Sequence, residues 1–229
     1  MTRHNVSELS LQELRQSVRE VFRRGGGSRP AVFLVGVNQD LAVLKDHGAC
    51  DPWFARVLGP LLAGREARAL ERLRGIRGVP VLLGRPDSRS LLIEYLRARS
   101  LEDSAENTDW QAFFDRMAGL LTAMHSRGIA HCDLRSPYNT LVGAGGEPFI
   151  VDFVASVSKG RAWNIAGNWV FRQFARADRE AMVKLKKSVA PQLLSEHEEA
   201  TYSRCSGIER VARWIGSSVR NLSRKIFTR

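Results

Sequence analysis

Cysteine is scarce in this 229-residue chain: Cys50, Cys132 and Cys205 are far apart and odd in number. Neither a disulfide framework nor a paired-cysteine metal site is expected, and a reducing cytoplasm is the simplest setting. Long apolar runs are lacking too. No stretch approaches the roughly 20 residues that span a bilayer, and residues 1–10 lack the apolar core of a signal peptide, so any membrane contact is expected to be peripheral. No internal repeat or long low-complexity tract is present, which excludes a solenoid. Acid is the rarer charge, with 24 Asp and Glu against 35 Lys and Arg and a formal net charge of +11. That balance favours an anionic partner, whether nucleotide, nucleic acid, phospholipid surface or phosphorylated glycolipid, and does not choose among them. The remaining composition, 44% hydrophobic and 26% charged, is that of a globular protein of one domain or two small lobes sharing a cleft.

Periodicity predicts an amphipathic helix over residues 7–23, with Leu11, Leu14, Val18, Val21 and Phe22 at helical spacing and Ser7 or Ser10 as its cap. Gly25-Gly26-Gly27-Ser28 ends it. Residues 31–37 and 41–45 read as a hairpin, residues 51–60 as irregular, and residues 61–74 as a helix. A second hairpin is expected over residues 81–84 and 90–96. The polar residues 97–108 form the one obvious linker, followed by a strong helix over 110–126. Residues 156–168 read as loop, 170–187 as a basic helix, and 208–227 as a last helix.

The chemistry concentrates in His131-Cys132-Asp133-Leu134-Arg135-Ser136-Pro137-Tyr138-Asn139 and in Phe149-Ile150-Val151-Asp152-Phe153. Carboxylates and a carboxamide at the ends of short apolar runs are a common presentation of a metal-nucleotide site. Phosphoryl transfer needs few reactive groups, because catalysis is mainly alignment and charge neutralisation. A lysine on a strand, a glutamate to hold it, an acceptor-orienting aspartate and oxygen ligands for Mg²⁺ suffice, and the chain carries them in that order.

On these motifs the chain resembles the protein-kinase-like superfamily over roughly residues 31–155, and within it the small bacterial lipopolysaccharide kinases and the RIO-like branch. Leu41-Ala42-Val43-Leu44-Lys45 is similar to the strand whose lysine contacts nucleotide phosphates, and residues 65–70 to the helix that supplies its partner, Glu66, with Glu71 as the fallback. Leu92-Ile93-Glu94-Tyr95-Leu96 looks like the hinge: Glu94 and Leu96 would offer backbone groups to adenine, and Ile93 would lie deeper. The resemblance implies that Asp133 orients the acceptor hydroxyl and Arg135 neutralises the γ-phosphate, while Asn139 and Asp152 bind Mg²⁺. His131 would steady the loop backbone.

The chain also departs from the family pattern. Asp133 and Asn139 are one residue further apart than in the usual loop, as are Asp133 and Asp152, so one inserted residue near Ser136-Pro137 explains both offsets. Cys132 stands where many protein kinases carry an arginine that binds a phosphorylated activation loop. Val154 replaces the usual glycine and removes a flexible φ position. No Ala-Pro-Glu signature follows Asp152, nor a buried Asp-Val-Trp-like helix, and only 77 residues remain, which points to a compact acceptor.

Blander readings stand beside these. Lys45 could guard a sheet edge, Glu66 could belong to a surface network with Arg65, Arg68 and Arg72, and Gly25-Gly26-Gly27-Ser28, which the resemblance would make the phosphate loop, could be a helix stop and linker. The resemblance implies a two-lobed α+β fold, with an antiparallel-sheet N-terminal lobe over residues 1–96 and a reduced, mainly helical lobe over 97–229. ATP and Mg²⁺ would lie between them. The expected activity is an ATP-dependent kinase acting on a hydroxyl of a lipopolysaccharide-core sugar or related glycolipid, cytoplasmic or peripheral at the inner face of the cytoplasmic membrane. The basic amphipathic residues 208–227 would either meet an anionic membrane surface or pack on the helical lobe. Nucleic acid is not an expected partner, for want of an interleaved aromatic platform. A Ser/Thr protein kinase or RIO-like kinase/ATPase is the alternative, and a non-catalytic binding module with the same fold is the third.

Overall fold

The computed structural model describes residues 9–104, 108–196 and 198–199. Ser10 opens α1 (Leu11–Gln16) through a capping box, its hydroxyl accepting the Glu13 N–H while the Glu13 carboxylate accepts the Ser10 N–H. Ser7, the other expected cap, lies outside the described residues.

The helix expected over 7–23 does not continue beyond Gln16. Residues Val18–Arg23 are instead a strand, β1, paired antiparallel with β2 (Ala31–Val37). Val18, Val21 and Phe22 fit either period, and β-branched and aromatic side chains favour the extended form once a partner strand is available. The glycine run is therefore the turn of a hairpin and not the end of a helix. Gly25 is required there by close approach, since a Cβ would sit 2.6 Å from the Ala49 carbonyl oxygen. Gly27 and Asp51 exchange hydrogen bonds, the Gly27 N–H donating to the Asp51 carboxylate and the Asp51 N–H to the Gly27 carbonyl.

β3 (Asp40–Asp46), β4 (Leu82–Gly84) and β5 (Ser90–Glu94) complete a five-stranded antiparallel sheet in the order β1-β2-β3-β5-β4. Residues 51–60, expected to be irregular, hold α2 (Pro52–Val57) and the start of α3 (Gly59–Arg72), each with a proline in its first turn. α3 buries Ala63, Ala67, Ala69 and Leu70 in a core shared with Leu91, Ile93, Leu121, Met124 and Phe153. This core joins the sheet to the helical part.

The expected linker at 97–108 is part of the fold. β6 (Ala98–Ser100) pairs with β8 (Thr140–Gly143), which pairs with β9 (Pro148–Ile150). α4 (Trp110–Ser126) has the predicted bounds, is capped by Asp109, and buries Phe113, Met117, Leu121 and Met124. β7 (Ile129–Ala130) pairs with β10 (Val157–Ser158) inside the expected loop, and α5 (Ile165–Val189) begins earlier than periodicity suggested. The α+β architecture is as expected. Among the described residues no helix is long and apolar enough to cross a membrane. The helix expected over 208–227 lies outside them.

Candidate functional site

Lys45 reaches the site from β3, where Ala42 and Leu44 face the core; its own side chain is also buried. Its ammonium donates to both carboxylate oxygens of Glu66, at 3.0 and 2.8 Å, and to Asp152 at 2.6 Å. Glu66 is 1% exposed, so it does not belong to a surface charge network. Glu71, the fallback, is exposed on the far face of α3. Burial opposes the charge on Lys45, but the Glu66 and Asp152 carboxylates outweigh it and raise the pKa. Burial likewise pushes Asp152 up, and the Lys45 ammonium more than reverses this, holding its carboxyl below the usual range. Glu66 is pushed up by burial against the pull of Lys45.

The loop after β7 is built on backbone bonds. His131 is fully buried; its Nε2–H donates to the Val151 carbonyl at 2.9 Å and its Nδ1 accepts the Asp133 N–H at 3.3 Å. That pattern requires the neutral ring, and burial lowers the His131 pKa accordingly. The expected steadying role of His131 is thus visible as geometry. The added residue is absorbed in a 3₁₀ turn over Pro137–Asn139, so that Asn139 still reaches back: its amide donates to the Asp133 carbonyl at 2.9 Å and to the Asp133 carboxylate at 3.0 Å. Both amide hydrogens being used, the oxygen is the atom with which Asn139 could meet a metal. The Asn139 carbonyl accepts the Val151 N–H, which ties it to the residue before Asp152. Partial burial raises the Asp133 pKa, against the pull of the Asn139 amide. Arg135 is half-buried two residues beyond Asp133 and engaged within the fold.

Cys132 (φ 70°) and Asp152 (φ 66°) both adopt the left-handed region, a backbone cost that persists only where surroundings impose it. For Cys132 the imposing residue is Asp178 of α5, which the sequence reading missed when it found no buried aspartate helix downstream. Asp178, 1% exposed, accepts the His131 N–H at 2.8 Å and the Cys132 N–H at 2.9 Å, and its Oδ2 meets His125 Nε2 at 2.9 Å. The available signal was a carboxylate on the apolar stripe Phe171, Ala175, Ala181 and Leu185. Cys132 itself is a packing residue whose thiol burial pushes up, so it is not a nucleophile. Arg65, read as a surface charge, donates from Nε to the Ser156 carbonyl and from Nη2 to the Ala155 carbonyl, tying α3 to the segment after Asp152.

The expected hinge residues lie at the end of β5 and just beyond it. Ile93 is buried in the core. The Glu94 N–H donates to the Val81 carbonyl and the Glu94 carboxylate accepts the Val81 N–H. The side chains of Glu94 and Leu96 line a cavity with Val79, Leu120 and Phe149, which neither Lys45 nor Asp152 borders. The Leu96 carbonyl accepts the Ala98 N–H, which leaves the Glu94 carbonyl and the Leu96 N–H as what the hinge could present.

For a metal, the donor set is oxygen: the Asp152 carboxylate and the Asn139 amide oxygen. Among the described residues no group of three or more His, Cys, Asp or Glu could hold an ion. That fits Mg²⁺, which is commonly held by one or two carboxylates together with substrate phosphates and water, and it does not fit zinc.

A family model of the RIO domain matches residues 54–165. No curated protein matches. Solved structures of similar fold include the Rio2 kinase from Chaetomium thermophilum in its ADP/Mg²⁺-phosphoaspartate complex, with a TM-score of 0.58 and 17% identity over 82% of this chain and 64% of that one. Another is a Rio2 kinase structure from the same organism, with a TM-score of 0.59 and 16% identity over 89% and 69%. The chain thus spans about two thirds of the length of these relatives. It shares the protein-kinase-like fold of these Rio2 structures and presents Lys45, Glu66, Asp133 and Asp152 in that order along it.

Proposed function

We propose that this protein is an ATP-dependent phosphotransferase whose site lies between an N-terminal lobe over residues 1–96 and a C-terminal lobe over 97–229. The observation that carries this reading is the buried Lys45, held at 2.8 Å by Glu66 and at 2.6 Å by Asp152. A structural ion pair needs one carboxylate. A lysine held between two, one of them on the segment that also positions Asn139, is poised to exchange a carboxylate for phosphate oxygens.

In this scheme Lys45 grips the nucleotide phosphates, Glu66 fixes Lys45, and the Glu94 carbonyl and Leu96 backbone meet the base against Ile93. Asp152 and the Asn139 oxygen hold Mg²⁺, which when bound neutralises the phosphate charge. Asp133, its carboxylate fixed by the Asn139 amide and its N–H by His131, orients the acceptor and takes its proton. Arg135 balances charge at the transferred group.

For the acceptor, the first reading is a hydroxyl of a lipopolysaccharide-core sugar or related glycolipid, supported by the departures from the protein-kinase pattern at Cys132 and Val154. The RIO-like kinase or ATPase reading draws its support from the RIO domain match. Because a Rio2 relative is described with a phosphoaspartate, the acceptor in this second reading need not be a hydroxyl.

Incubation with γ-labelled ATP, followed by separation of lipid, protein and free phosphate, tests both. Label in extracted glycolipid that is lost with Asp133→Asn and Asp152→Ala supports the first reading; label on protein or free phosphate only supports the second. Equal labelling by wild type and both variants would remove the assignment of the site. No turnover and no Mg-ATP binding would leave a non-catalytic module.

A further inference from the structure

Between Asp152 and the buried part of α5 the chain displays apolar side chains outward. Trp163 and Ile165 are each 75% exposed and Trp169 is 57% exposed, with Val170 beside them. Single exposed apolar residues are common, but a contiguous group of this size on a described surface marks an interaction site.

The display is organised. The Asn164 side chain accepts the Gly167 N–H at 2.8 Å, and the Asn168 amide donates to the Arg161 carbonyl at 2.9 Å. A Cβ on Gly167 would lie 2.7 Å from the Asn164 amide nitrogen. Asn164 thus caps α5 and Asn168 ties its first turn back to residue 161, fixing the backbone from which the large apolar side chains project. On the other side Phe171 and Ala175 pack against Ala130 and the partly buried Cys132, so the patch is mounted beside the loop that carries Asp133.

Charge identifies the occupant. Residues 153–177 carry Lys159, Arg161, Arg172 and Arg176 and no aspartate or glutamate. Ile165, Trp169, Arg172 and Arg176 follow one face of α5, so apolar residues at the helix start give way to basic ones on the order of 5 and 10 Å further along the axis. That is the layering of a bilayer interface, with tryptophan at the boundary and cations at the headgroups. A single-stranded nucleic acid would use tryptophan and arginine but has no use for the aliphatic Ile165 and Val170.

We propose that the segment carrying Trp163, Ile165 and Trp169 docks this protein on an anionic phospholipid surface, with Arg161 and Arg172 at the headgroups. The proposed phosphotransfer enters only as the activity of the loop beside the patch.

Sedimentation of the full chain with vesicles of phosphatidylglycerol and phosphatidylcholine, against phosphatidylcholine alone, tests this. Expected are binding to the anionic vesicles that weakens with salt, and at least about a tenfold loss of partitioning in Trp163→Ser/Ile165→Ser/Trp169→Ser. Brominated lipid should quench wild-type tryptophan fluorescence, and quench it far less in Trp163→Phe/Trp169→Phe. Asp133→Asn and Asp152→Ala should bind vesicles as wild type does, so loss of phosphotransfer and loss of docking are separable. Vesicle binding equal in the wild type and the triple variant overturns the proposal. So does an absence of vesicle binding, whether or not a single-stranded RNA oligonucleotide binds through these residues.

Discussion

Asp178 is the residue on which the loop carrying Asp133 depends most directly, because it answers the backbone N–H groups of His131 and Cys132 and the His125 ring at once. Asp178→Asn would turn an amide N–H₂ toward donors that need an acceptor. The expected cost is about 2–4 kcal/mol in urea unfolding, with at least a tenfold fall in turnover and a preserved melting shift on nucleotide binding. His47 presents a different case. It is buried two residues beyond Lys45, and neither ring nitrogen has a hydrogen-bond partner. Burial and the neighbouring Lys45 ammonium lower its pKa to about 4 from 6.5. Since the folded pKa is the depressed one, the unfolded chain takes up a proton that the folded chain refuses. The associated stability is present above pH 6.5 and is lost as pH falls toward 4, to a limit of about 3 kcal/mol. Urea titrations at pH 7, 5.5 and 4.5 should show this loss reduced in His47→Phe.

At the scale of elements, the two arginine bonds that join α3 to residues 155–156 couple the helix carrying Glu66 to the segment following Asp152. Arg65→Ala should lower turnover severalfold while changing unfolding free energy by less than about 1 kcal/mol, because the arginine is exposed; steady-state kinetics and melting curves separate the two. Legibility in the sequence divides along the same line between local and distant causes. α4 was readable to its ends because one cap and one apolar face decide it. That Lys45 meets Glu66 and Asp152, and Asp133 meets Asn139, was readable because the proposed phosphate chemistry calls for these types in this order. β1 was not, since Val18, Val21 and Phe22 satisfy a helical period until β2 is there to pair with them. Asp178 was not, since its role lies in backbone groups 46 and 47 residues away.

For the whole molecule, a ligand that binds only the folded state raises its stability by mass action. Mg-ATP at a hundred times its dissociation constant should add about 2.7 kcal/mol, a melting shift of roughly 5–11 °C for a chain of this size. Calorimetry with Asp152→Ala should lack that shift, and an unchanged shift in the variant would take Asp152 out of the nucleotide site. The distances in sequence that the site bridges have one further consequence. The Lys45–Asp152 contact spans 107 positions, and the loop holding Asp133 takes its shape from a carboxylate still further along. During synthesis, therefore, a nascent chain that has delivered every proposed phosphate and metal contact to solvent is still inactive. On the proposed function, competence arrives only when α5 has emerged and seated Asp178 against the His131 and Cys132 N–H groups.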